Sequence, residues 1–183
     1  HNHKKLLTNH IKQELESLNL IKGKNLKLII GLSGGPDSVC LTYILKELSE
    51  SLEFSLIAAH MDHGWRDDSY KDLKLCQNLC QNLGIELFTG QAKDFEHQTK
   101  NNGSKEETAR LIRRSFFESV LTKTSSNLVL LAHHAQDQIE TFLIRLIRGS
   151  SLTGLSSMKA LNGSYFRPML KCPKSWIDNH LKE

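Results

Sequence analysis

The chain has 183 residues, 39% of them hydrophobic and 24% charged, with a formal net charge of +4. That length can bury one full α/β core, the composition is that of a soluble globular protein, and no apolar run nears the ~20 residues of a membrane-spanning helix. Four cysteines, at 40, 76, 80 and 172, are too few to staple a chain this long and point to a cytoplasmic setting.

Charge is unevenly placed. Residues 145–183 carry seven Lys or Arg against Asp178 and Glu183, a net +5, which leaves −1 for residues 1–144. A basic end suits a polyanionic partner such as RNA, and equally a solvated basic face. The start, His-Asn-His-Lys-Lys, reads as a processed end with no secretory leader.

Residues 4–20 place Leu7, Ile11, Leu15 and Leu18 at four- and three-residue steps, which predicts a helix capping a sheet. Leu26 to Leu32, broken only by Lys27 and Gly31, reads as a strand buried on both faces, stopped by Ser33-Gly34-Gly35. Pro36 suits the first turn of a helix whose Leu41, Ile44, Leu45 and Leu48 share one face. Successive N–H groups of such a glycine turn can converge on an anion at the positive end of the helix dipole, which makes it a phosphate cradle. It lacks the Gly-Lys-Ser/Thr ending of a Walker A loop and is too short for Gly-x-Gly-x-x-Gly.

Phe54 to Ala59 predicts a second strand, ending in His60-Met61-Asp62-His63-Gly64-Trp65-Arg66. A helix over 68–83 buries Leu73, Cys76, Cys80 and Leu83 and stops at Gly84, with a third strand at Ile85–Thr89. Cys76 and Cys80, four apart, read as packing before they read as metal ligands. A polar loop over 91–103 leads to Ser104-Lys105-Glu106-Glu107, a capping box. The helix it opens puts Arg110 and Arg113 on one face, for phosphate or for pairing with Glu106 and Glu107. Asn127 to Ala132 is the fourth strand, followed by His133-His134-Ala135-Gln136-Asp137-Gln138-Ile139-Glu140-Thr141. Ile139, Phe142, Leu143 and Leu146 predict the core face of the next helix, which Gly149 closes, while Asp137 and Glu140 share a face at its start. Tyr165 to Leu170 is a fifth strand, and Pro173 can open a final helix.

Alternating strands and helices imply right-handed crossovers and an α/β fold: a parallel five-stranded sheet with helices on both faces. Ligands bind at the carboxyl edge of such sheets, so the glycine loop, His60–Arg66 and His133–Glu140 are expected to surround one crevice. The expected organisation is a lead-in helix over 1–25, a catalytic domain over 26–170 and the start of a helical segment at 171–183.

The motif Ser-Gly-Gly-Pro-Asp-Ser (33–38) resembles the PP-loop of the ATP pyrophosphatases. With residues 60–66, 106–117, 132–141, 148–155 and Arg-Pro-Met-Leu (167–170), the chain resembles the N-terminal catalytic domain of the tRNA(Ile)-lysidine synthetases, from Leu28 to about Leu170. The resemblance implies a Rossmann-like PP-loop fold and use of ATP and Mg²⁺. The implied reaction adenylates the C2 oxygen of the wobble cytidine in tRNA(Ile) with a CAU anticodon and then joins free L-lysine with release of AMP.

By the same resemblance, Ser33, Gly34, Gly35, Pro36, Asp37 and Ser38 hold pyrophosphate, Asp37 binds the metal, and His60 and Met61 border adenine. Arg110, Arg113 and Arg148 meet phosphate or tRNA. His133, Asp137 and Glu140 join Asp37 as the catalytic group, with Asp137 and Glu140 binding the lysine amine. A homodimer is compatible with the resemblance. The chain departs from the pattern in ending before the Asp-x-Ser-Asn and Arg-Asn signature and in having Trp65 where Leu is usual. Rival readings are a cytidine-thiolating relative, whose paired Cys-x-x-Cys is absent, and a nucleotide-binding module without catalysis.

Overall fold

The computed structural model describes residues 2–19, 25–64, 67–96, 104–147, 149 and 159–182. In chain order they form α1 (Asn2–Ser17), β1 (Lys27–Gly31), α2 (Pro36–Ser51), β2 (Ser55–Asp62), α3 (Ser69–Leu83) and β3 (Glu86–Gln91). A 3₁₀ turn (Ala92–Asp94), α4 (Lys105–Thr124), β4 (Leu128–Leu130), α5 (Ala135–Ile147), β5 (Leu161–Asn162), β6 (Tyr165–Phe166) and α6 (Lys174–Lys182) complete them. No helix among the described residues is long and apolar enough to cross a membrane.

The strand order is β3-β2-β1-β4-β6-β5. All neighbours are parallel except β5 and β6. The α/β class stands as expected, but the sheet has six strands, not five. Asn162 pairs with Tyr165 across a two-residue loop whose first residue, Gly163, has φ +58°. Glycine takes that conformation without strain, so the chain doubles back and adds an antiparallel edge strand that no hydrophobic run announces.

Side chains of β1 alternate between two cores, as the pleat requires. Leu28 and Ile30 join Leu7, Ile11 and Leu15 of α1, Leu41, Ile44 and Leu45 of α2, Cys76 and Cys80 of α3, and Ile177 of α6. Ile29 points the other way, with Ile57, Val129 and the α4 residues Ile112, Phe116, Phe117 and Val120. Helices therefore cover both faces. The first and last helices share one cluster with the central strand.

Gly84 ends α3 at φ +63°, its N–H bonded to the Cys80 and Gln81 carbonyls, the left-handed cap expected of glycine there. Ser104 Oγ accepts from the Glu107 N–H at 3.3 Å, half of the expected capping box. The other half is missing, because the Glu107 carboxylate turns to Arg110 at 2.6 and 3.0 Å.

α5 departs most from expectation. None of its residues is buried, and Ile139, Phe142, Leu143, Leu146 and Ile147 are 46–84% exposed. Its first turn is held instead by polar bonds: Gln138 Nε2 donates to the Leu170 carbonyl at 3.0 Å, and Gln136 Oε1 accepts from the Lys174 N–H at 3.1 Å. Apolar periodicity names a face of a helix but not what covers it.

Candidate active site at the sheet's switch point

β1 lies between β2 and β4, because the chain, after building β1-β2-β3 in one direction, returns through α4 to place β4 on the other side. Strand order reverses there, and the crevice outside the carboxyl ends of β1 and β4 is where such sheets hold ligands. A cavity of about 450 Å³ occupies that place. Its walls are the 31–38 turn, the end of β2 from Ala59 to Gly64, and the segment after β4 from Leu131 to Asp137, with Asp72, Arg113 and Phe117. Of the three polar segments expected at one edge, the glycine turn, His60–Gly64, and His133 with Asp137 do meet there.

The glycine turn is organised by its own hydroxyls. Ser38 Oγ accepts from the Ser33 N–H at 3.1 Å, lies 3.0 Å from Ser33 Oγ and donates to the Gly35 carbonyl at 3.1 Å. Ser33 Oγ accepts from the Gly35 N–H at 3.2 Å. Gly34 has φ +89°, and a Cβ there would crowd Asp72 at 3.1 Å, so a side chain would be strained in conformation and tight in space. Two of the N–H groups expected to face phosphate are thus bonded within the turn, and Pro36 has none. The N–H groups of Gly34, Asp37 and Ser38 remain, the last two in the first turn of α2, where intrahelical bonding leaves donors over.

Asp37 stands at the start of α2, and its carboxylate has two partners. Oδ1 accepts from Lys174 Nζ, and Oδ2 lies 3.2 Å from His134 Nε2. The other nitrogen of that ring, Nδ1, is 3.5 Å from Asp137 Oδ2. The buried imidazole therefore lies between the carboxylates of Asp37 and Asp137, which open the helices after two adjacent strands; it is hydrogen-bonded to the first, and Nδ1 has no hydrogen-bond partner among the described residues. Asp137 Oδ2 also accepts the His134 N–H at 2.7 Å, capping α5 in the manner of an acidic box residue.

His133 lines the crevice, and its Nδ1 accepts from Arg167 Nε at 3.2 Å. A guanidinium can only donate, so in the neutral ring the proton is on Nε2. Burial first, then the Arg167 charge, pulls the His133 pKa below its usual 6.5. The ring enters the site as a neutral donor rather than as a proton acceptor.

His60 is 3% exposed, and its Nδ1 donates to the Leu32 carbonyl at 2.7 Å. Its Nε2 is a buried nitrogen without a hydrogen-bond partner among the described residues, and the ring lines the crevice beside Met61. Such an orphan acceptor calls for a donor from a ligand. Arg113 also lines the crevice, with Nη2 at 3.4 Å from His63 Nε2. Burial lowers its pKa, and burial followed by the Arg113 charge lowers that of His63.

Other expected residues lie apart. Arg110 is exposed, pairs with Glu107 and is not among the residues lining the crevice. Glu140, one turn beyond Asp137, is exposed and outside the lining as well. Arg148, Trp65, Arg66 and the segment 150–158 lie outside the described residues. Sequence reading missed His134, Arg167 and Lys174. The paired histidines and the Arg-Pro-Met-Leu segment were a signal for the first two, whereas Lys174 carried none.

Residues 6–183 match the family described as the PP-loop domain. Over 161 residues the chain is 36% identical to the tRNA(Ile)-lysidine synthase of Bacillus thuringiensis, covering 85% of this chain and 34% of that protein. It is 35% identical over 174 residues to the tRNA(Ile)-lysidine synthase of Thermosipho africanus, covering 93% of this chain and 40% of that one. The chain thus spans 34–40% of the length of these curated relatives.

Among solved structures, the U34-tRNA thiolase NcsA from Methanococcus maripaludis with its 4Fe-4S cluster aligns with a TM-score of 0.81 at 20% identity, over 98% of this chain and 63% of that one. NH3-dependent NAD synthetase from Campylobacter jejuni aligns at 0.62 with 18% identity, over 100% of this chain and 73% of that one. Those identities speak to fold alone. With a glycine turn feeding a helix at the switch point, and a family match along almost its whole length, this chain belongs to the PP-loop domain family.

Proposed function

We propose that the chain carries the adenylating site of a tRNA(Ile)-lysidine synthetase, a ligase that converts ATP to AMP and pyrophosphate. The observation that carries this reading is His134 standing between Asp37 and Asp137. A metal-and-phosphate acid and an amine-binding acid then face one crevice. The identity to proteins named tRNA(Ile)-lysidine synthase supports this reading, in which the substrates are ATP, free L-lysine and a tRNA(Ile) with a CAU anticodon.

In the first step the C2 oxygen of the wobble cytidine attacks the α-phosphorus, the α–β anhydride bond breaks and pyrophosphate leaves. In the second, the unprotonated side-chain amine of lysine attacks C2. The C2–O bond breaks, AMP leaves with that oxygen, and the new nitrogen gives up a proton. Free lysine has an ammonium pKa near ~10.4, so it must be anchored and deprotonated first.

Asp137 is the anchor and proton acceptor, and Glu140, one turn outward, adds a second negative charge on the side from which lysine enters. His133, as a donor, steadies oxygen on the substrate side. Ser33 and Ser38, with the N–H groups opening α2, hold pyrophosphate. His60 Nε2 accepts from the adenine amino group beside Met61. Arg113 meets the phosphate of AMP or tRNA, with Arg110 and Arg148 as outlying tRNA contacts.

The residues fit Mg²⁺ in donor type, since Asp37, Asp62 and Asp137 offer carboxylate oxygens on one crevice. No group of three or more metal-ligating side chains gathers among the described residues, which suits an ion that takes most of its ligands from phosphate and water. Asp37 would hold the metal, and the metal would neutralise charge on the leaving pyrophosphate.

A thiolating role is disfavoured by the cysteines. All four are buried, and none stands in the Cys-x-x-Cys pairs by which such a relative would hold a cluster. Labelled pyrophosphate should exchange into ATP only when a tRNA(Ile) transcript with C34 is present, and labelled lysine should then enter that tRNA. Exchange without tRNA, or with a U34 transcript equally well, would overturn the assignment.

A further inference from the structure

The glycine turn has no lysine of its own. The nearest in sequence to residues 33–38 are Lys27 and Lys46, and Arg113, beside the end of β2, is the only Lys or Arg among the described residues lining the crevice. A triphosphate brings more negative charge than one divalent ion cancels. Where a Walker A loop meets this need with a lysine inside the loop, the present fold meets it from the other end of the chain.

Lys174 opens α6 and reaches Asp37, 137 positions away, at the start of α2. The backbone beneath it is held on several sides. Its N–H donates to Gln136 Oε1 at 3.1 Å, the Cys172 carbonyl accepts from the Ala135 N–H at 3.1 Å, and Ile177, one turn on, is fully buried. The ammonium itself lies between two carboxylates: Asp37, which belongs to the phosphate cradle, and Asp178, on its own helix at 3.5 Å. Its side chain is 31% exposed, so it is neither locked in a core nor free in solvent. An ammonium is a compact charge with three rotatable donors on a flexible stem. It can move from a carboxylate to a neighbouring phosphate oxygen without any backbone shift, while Asp178 continues to orient it.

We infer that Lys174 is the cation of this phosphate cradle: it shares Asp37 when the metal is absent and turns to the pyrophosphate part of ATP when the metal takes that carboxylate. This rests on the ATP reading above. It adds a residue contributed from beyond the last strand, and it makes α6 part of the nucleotide site rather than a cover for the sheet.

Calorimetry with ATP, pyrophosphate and AMP, each with Mg²⁺, tests it on the whole chain. Lys174→Met should weaken ATP and pyrophosphate at least tenfold, the loss of one charge-assisted hydrogen bond, and leave AMP within twofold. Lys174→Arg should recover most of the difference. On the unsubstituted chain, Mg²⁺ with ATP or pyrophosphate should shield Lys174 from an amine-reactive label, and AMP should not. This arm needs no variant to fold. Equal loss of AMP affinity would mark Lys174 as a strut between helices, and unchanged ATP and pyrophosphate affinity or unshielded labelling would also overturn the inference. Failure of the unsubstituted chain to bind ATP at all would instead bring down the ATP reading itself.

Discussion

Two helices open on the crevice, and they are built alike up to a point. α2 and α5 each follow one of two adjacent parallel strands, β1 and β4, and each carries an aspartate in its first turn. Both repeat apolar residues at helical spacing. Yet α2 buries Cys40, Leu41, Ile44, Leu45 and Leu48, and α5 buries nothing. The difference shows that a helix can present its first turn to a site on the strength of terminal hydrogen bonds alone. α2 holds Asp37 by packing, whereas α5 holds Asp137 through His134, Gln136 and Gln138.

The sharpest way to break the comparison is to empty one residue in each helix. Ile44→Ala in α2 should cost about 2–5 kcal/mol, a transfer term plus a cavity. Leu143→Ala in α5 should cost no more than about 0.5 kcal/mol. Urea unfolding of the two variants checks this, and a large loss at Leu143 would mean that α5 is covered in solution after all.

Function should divide the other way. Asp37→Asn and Asp137→Asn ought each to depress tRNA-dependent lysine incorporation by roughly 100-fold, the scale for removing one preorganised electrostatic group. Only Asp37→Asn should also depress pyrophosphate exchange, because exchange requires the adenylating half alone. A fall in exchange for Asp137→Asn of similar size would merge the two roles.

The smallest effect concerns pH. His133 titrates below its unfolded value, through burial and then Arg167, so near pH 6.5 and below the unfolded chain takes up a proton that the folded one refuses. Its contribution to stability is therefore present above the unfolded pKa and lost as pH falls through the window between 6.5 and the lower folded value. Arg167→Met should move the His133 pKa upward and narrow that window, read by NMR titration of the ring. An unmoved pKa would take Arg167 out of the account and leave burial as the main cause.

Much of the glycine turn and its flanks was legible because its signals are local. A strand run, a turn that demands glycine at 34, Pro36 at a helix start and a period-3.6 face all lie within two dozen residues, and each constrains the next. The convergence of residues 31–38, 59–64 and 131–137 was legible one step further on, since parallel strands put their carboxyl ends on one edge. The sixth strand was not, because a two-residue strand such as β5 leaves no periodicity. Nor was the exposed face of α5, since amphipathicity is a property of one helix and burial a property of two surfaces.

From sequence alone came the family resemblance, the α/β class and the shared edge, all of which depend on neighbours in the chain. Tertiary structure alone decided that Arg167 turns His133 into a donor, that His134 lies between two acids, and that Lys174 stands against Asp37. Each of those facts depends on side chains 34 to 137 positions apart. Charge and hydrogen bonding act over a few ångströms of space, and only the folded chain sets that distance.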